Sequence, residues 1–188
     1  PLVIAAGIAL LTQLKIGTVM PVRSFMGLFL RGNPFLALRA LVRYRRARDE
    51  KMRILETEHL GEARSPLNVE ELLDALADPS FHVRYEAVIS IARTRKDERL
   101  VEALLRLVNS NIPDLGPAAA WALGRLGARS AISPLRGALE SDYPLMRAFS
   151  ARSLAALGDV GSVPLLVQGF RAERDDGIKV AYAAALGM

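Results

Sequence analysis

The chain has 188 residues, 51% apolar and 24% charged, which excludes a disordered polymer and allows one domain or a short repeat array. It contains no cysteine, so a disulfide framework, a thiolate zinc site and a cysteine nucleophile are excluded. The net charge of +5 is uneven: residues 1–64 carry 11 Lys/Arg against 5 Asp/Glu, and residues 65–188 carry 14 against 15. A basic cradle for nucleic acid is therefore not expected in the last two thirds.

Residues 1–30 begin with an apolar run, Pro1 to Leu11, broken only by Gly7. Eleven helical residues span about 16 Å against roughly 30 Å for a bilayer core. Two readings stand: the last half of a transmembrane helix, with Gln13 and Lys15 at its exit, or a soluble capping helix with an apolar face. A secretory signal fits worse, because the charges follow the run. The chain starts at Pro1 and stops at Met188 inside its last helical pattern, so a fragment of a longer protein is expected.

Residues 31–51 read as a basic linker helix. Arg31-Gly32-Asn33-Pro34 breaks one helix and opens another. Leu38, Leu41 and Val42 then share a face, while Arg39, Arg43, Arg45, Arg46, Arg48, Lys51 and Arg53 crowd the remainder. Basic residues directly after an apolar run suit the cytoplasmic surface of an anionic membrane, at about 1 kcal/mol per charge near the surface. The other readings are a solvated face or an RNA-binding arm.

From residue 52 a ladder takes over. Arg84, Gly116, Arg147 and Lys179 fall in register at steps of 32, 31 and 32 residues. Val88, Ala120, Ala151 and Ala183 follow four positions later, and Ile91, Leu123, Leu154 and Leu186 seven positions later. Such a period, with turn signals between helical patterns, predicts stacked antiparallel helix pairs in an all-α solenoid. Helices are predicted near 82–95, 99–108, 116–126, 131–140, 145–157, 162–170 and 177–186, after a degenerate first pair made of a helix through Leu60 and a helix over 69–76. Offsets +4, +7 and +11 from each rung form the expected buried stripe. Gly127 and Gly158 are expected to close helices in the left-handed conformation.

The segments Leu126-Gly127-Ala128-Arg129-Ser130-Ala131-Ile132-Ser133-Pro134-Leu135 and Leu157-Gly158-Asp159-Val160-Gly161-Ser162-Val163-Pro164-Leu165-Leu166 resemble the starts of HEAT-like repeats of the phycobilisome-lyase type. Asp78-Pro79-Ser80-Phe81-His82-Val83-Arg84 resembles that family's intra-repeat turn. The front, Phe29-Leu30-Arg31-Gly32-Asn33-Pro34 followed by Tyr44-Arg45-Arg46-Ala47-Arg48-Asp49-Glu50, resembles the linker that joins some bacterial major facilitator superfamily transporters to a C-terminal HEAT-like domain. These resemblances imply a HEAT-like α-solenoid over residues 52–188, on the cytoplasmic side of the inner membrane.

A cation in a helix's first turn opposes the macrodipole. Turn carboxylates are expected to offset it: Asp78 for Arg84, Asp142 for Arg147, and Asp175 with Asp176 for Lys179. An anion site is the alternative use of these cations. Opposite the buried stripe lie Glu86, Ile89 and Arg93, then Ala118, Trp121 and Arg125, then Phe149, Arg152 and Ala156. In HEAT-like arrays this second-helix face is usually concave, and a protein-binding surface of Glu86, Arg93, Trp121, Arg125, Phe149 and Arg152 is expected on it. The competing reading has Trp121 packed on a neighbouring repeat and the arginines solvated.

Catalytic patterns are lacking. His59 and His82 have no ligand at metal spacing, Glu70-Glu71 and Asp175-Asp176 split across their elements, and neither a Gly-rich phosphate loop nor a G-x-S-x-G elbow occurs. The expectation is a non-enzymatic interaction or regulatory domain of a membrane transporter. It would have a protein partner, an anionic membrane surface at residues 1–53, and no cofactor, metal or nucleic acid. A bilin lyase or phycobiliprotein chaperone, and a soluble scaffold, are the alternatives.

Overall fold

The computed structural model describes Arg39 and residues 42–44, 47–110 and 112–187. The readings of residues 1–30 as a membrane or capping helix lie outside the described residues, as do those of Arg45 and Arg46. Among the described residues there are helices and turns but no strand, and no helix is long and apolar enough to cross a membrane.

From Glu50 onward the described residues form nine α-helices: α1 (Glu50–Glu62), α2 (Val69–Leu76), α3 (Phe81–Ile91), α4 (Glu98–Val108), α5 (Leu115–Arg125), α6 (Ile132–Ala138), α7 (Pro144–Ala156), α8 (Val163–Ala172) and α9 (Asp176–Gly187). Their starts are written in capping residues. Asp49 accepts from the Lys51 and Met52 amides, Ser80 from Val83, Asp97 from Arg99, and Asp175 from Ile178. Pro144 occupies the first turn of α7, where its missing N–H leaves no bond unmade. Gly127 and Gly158 have φ of 64° and 66°, and the amides after them reach back to the Leu123 and Leu154 carbonyls. Both ends are Schellman closures, as expected.

The even helices form one layer and the odd helices the other. Each even helix packs on the odd helix that follows it, while α1, α3, α5, α7 and α9 stack in series as the second layer. This corrects the first pair. Helix α1 is not the partner of α2; it stands in the second layer against α3, and α2 pairs with α3. The ladder accordingly extends one rung back, to Arg53, with Thr57 and Leu60 buried four and seven positions on. Its letters escaped notice because polar Thr57 replaces the small apolar residue of later rungs.

Val88, Ile91, Ala120, Leu123, Ala151 and Leu154 are fully buried, so offsets +4 and +7 carry the core as predicted. Offset +11 does not. It falls past the helix ends at Arg95, Gly127 and Gly158, all exposed. In α9 the buried positions shift to Ile178, Tyr182 and Ala185, and Ala183 is exposed. Neighbouring second-layer helices touch closely at two places. A Cβ on Gly61 would lie 2.7 Å from the Ser90 Cα, and one on Gly124 would lie 3.0 Å from the Ser153 Cα.

Candidate functional site

Of the rung cations, Arg84 and Arg147 do not take the carboxylates expected of them, whereas Lys179 does pair with Asp176. Arg84 Nη1 donates to the Asp78 and Pro79 main-chain carbonyls, at 2.8 and 2.9 Å. Arg147 Nη1 likewise donates to the Ser141 and Asp142 carbonyls, at 2.9 and 3.3 Å. A guanidinium at this rung thus holds the turn that precedes its own helix. Its other nitrogens reach forward to the next turn in the stack: Arg53 to Asp78 at 2.8 and 3.2 Å, and Arg147 to Glu173 at 2.9 and 2.6 Å. Asp78 therefore serves Arg53, not Arg84, and the Asp142 side chain is exposed. The Arg147 guanidinium holds the Glu173 carboxyl below the usual glutamate range. Lys179 is only 3.8 Å from Asp176, and Asp175 caps its own helix. These contacts account for the cations structurally.

Part of the basic run also turns inward. Arg43 Nε lies 3.1 Å from the fully buried Glu56 carboxylate, whose other oxygen meets His59 Nδ1 at 3.1 Å. Tyr44 packs against the core, and burial, followed by the Asp78 and Asp74 charges, pushes its pKa up to about 12. Arg39 and Arg48 are exposed. The two histidines, read from sequence as solitary, each meet one glutamate; His82 Nδ1 is 3.1 Å from Glu50. Among the described residues no group of His, Asp and Glu could hold a metal ion.

The second-layer face carries the more suggestive arrangement. An open groove crosses α3, α5 and α7, lined by Tyr85, Ile89, Trp121, Leu145 and Phe149 with Glu86 at its side. Helical spacing explains the alignment: residues 85 and 89, 118 and 121, and 145 and 149 each recur on one side of their helix. Of the predicted face, Glu86, Trp121 and Phe149 line this groove, and Arg152 lines its continuation toward α9. Trp121 and Phe149 are half-buried and pack against the core while also lining the groove. Arg93 and Arg125 are exposed at the helix C-termini, where the macrodipole favours cations. Phe81, Tyr85 and Leu145, exposed by 36, 39 and 41%, were missed; Phe81 and Leu145 sit in first turns and looked like turn residues, and Tyr85 fell outside the offsets taken as the outer face.

Glu86 accepts from Ser90 Oγ at 3.3 Å, and its pKa is raised by burial and then by the Glu58 charge. On the N-terminal side of the groove, Asp114 has the left-handed φ of 65° and accepts from Tyr143 Oη at 2.8 Å.

Comparison with known proteins agrees with this architecture. Residues 113–187 match the family model of HEAT repeats. The chain is also 28% identical, over 122 residues, to a HEAT repeat-containing taxis protein of Halobacterium salinarum. That alignment covers 65% of this chain and 27% of the relative, so the chain matches about a quarter of that protein's length. Residues 113–187 are thus similar to HEAT repeats, and the helical, two-layer stack of the described residues is that of an α-solenoid.

Proposed function

We propose that the repeat array is a non-catalytic protein-docking module, and that the second-layer face of α3, α5 and α7 is its docking surface. The observation that carries this reading is the contiguous set of large apolar side chains left open to solvent in one groove, with Arg152 in its continuation. Such an arrangement suits the core and rim of a protein interface. HEAT repeats commonly serve as interaction scaffolds, which supports the same use here. The isolated His–Glu contacts and the structural roles of the rung arginines leave no converging set of reactive groups to argue from.

The test is Trp121→Ala with Arg152→Ala in the full protein, expressed in its own host. Loss of co-purifying partners, with the helical circular dichroism retained, is the expected result. A lowered melting temperature with partner capture unchanged would overturn the reading. Within a longer protein, the apolar run of residues 1–30 and the basic residues after it support a cytoplasmic appendage of a membrane transporter. Repeated apolar spans of about 20 residues encoded upstream of Pro1 are the expected finding; a polar upstream sequence would exclude it.

A further inference from the structure

The three stripes that line the groove end alike. On α3, Tyr85 and Ile89 lead to Arg93; on α5, Ala118 and Trp121 lead to Arg125; on α7, Leu145 and Phe149 lead to Arg152. The contact of Gly124 with Ser153 sets two of these endings side by side, because Arg125 follows the first and Arg152 precedes the second. Both arginines are exposed, and among the described residues neither has a hydrogen-bonding or ion-pair partner. Arg93 is held only loosely, 3.7 Å from the half-exposed Glu58. Arg53 and Arg147, by contrast, spend their donors on carboxylates and carbonyls of the fold.

Exposed guanidinium groups with no ion-pair partner among the described residues, on neighbouring helices, favour an anionic partner, and the apolar trough beside them favours one with large apolar side chains. We propose that the segment docked here is an acidic amphipathic helix. Its apolar stripe lies along Tyr85, Trp121 and Phe149, and its carboxylates meet Arg125 and Arg152. Glu86 and Asp114 sit on the other part of the groove and repel carboxylates there, which fixes the side on which the acidic residues lie. This inference rests on the docking reading above and adds the partner's chemistry and orientation.

Trp121 is the chain's single tryptophan and lines the groove, so its emission reports occupancy directly. The probes are two tryptophan-free synthetic helical peptides with the same Leu/Phe stripe, one flanked by Glu and the other by Lys, titrated into the 188-residue chain. The Glu peptide is expected to bind about tenfold more tightly or better, with the preference fading in high salt. R125E with R152E, at exposed positions, should reverse the preference without changing the circular dichroism. Equal affinity for the two peptides, weakened for both by Phe149→Ala, would overturn the acidic assignment and leave the docking surface standing. A Trp121 shift that appears on concentrating the protein alone, unchanged by R125E with R152E, would assign the face to a second copy and overturn the proposal. Failure of both peptides to move the emission would also overturn it, independently of the in-host capture test.

Discussion

At the residue scale, the ladder shows what letters reveal and what they hide. That Arg84 and Arg147 need an anionic partner followed from their place in a helix's first turn. The partner could not be read, because the contacts closest in sequence are main-chain carbonyls, which no letter records, and the carboxylate comes from the next turn of the stack. The pairing of Arg43 with Glu56 was hidden for a related reason, since a buried glutamate looks the same in sequence as a solvated one. Glu86 gives a prediction at this scale. Burial, then Glu58, raises its pKa, so in neutral solution the ionised carboxylate opposes folding. As pH falls through that raised value the group takes up a proton, and the opposition disappears. Glu86→Gln should therefore raise the melting temperature at pH near 7, and the advantage should shrink toward the ordinary glutamate pKa of about 4.3. Thermal scans of both proteins across that interval check it. A pH-independent difference, or a less stable variant, would contradict the argument.

At the scale of elements, helix boundaries were legible because caps, prolines and glycines mark them locally. The layer to which α1 belongs was not, since it depends on stacking with a helix some 30 residues away. The glycines separate local from tertiary demands. Gly127 is required by its positive φ with open space around it, Gly124 by the approach of Ser153, and Gly137 by neither. Alanine at these three positions should act differently. Gly127→Ala should cost about 1–2 kcal/mol through backbone strain. Gly124→Ala should cost about 1–3 kcal/mol through overpacking of α5 on α7. Gly137→Ala, in the exposed part of α6, should gain about 0.5–1 kcal/mol. Midpoints of urea unfolding at constant m-value measure all three. A neutral Gly124→Ala would mean that the contact of α5 with α7 is looser than described.

On the scale of the whole molecule, the repeat period in the sequence revealed a stack, and its surface letters pointed to the face that carries the groove. Trp121, Phe149 and Glu86 do line a common groove, but its full extent needed the coordinates, because Phe81, Tyr85 and Leu145 join it from the N-terminal halves of helices whose direction depends on how successive helices stack. The groove also crosses the seams from α3 to α5 and from α5 to α7, so a docked segment would touch three successive second-layer helices.

The most direct measurement is site-specific photo-crosslinking of the full protein in its own host, with the reactive residue placed at Tyr85 on the second-layer face or at exposed Glu102 on α4 in the other layer. A discrete adduct from Tyr85, lost when Trp121 and Arg152 are replaced by alanine and absent from Glu102, is the predicted result. Equal adducts from the two layers, or adducts from Glu102 alone, would contradict the account.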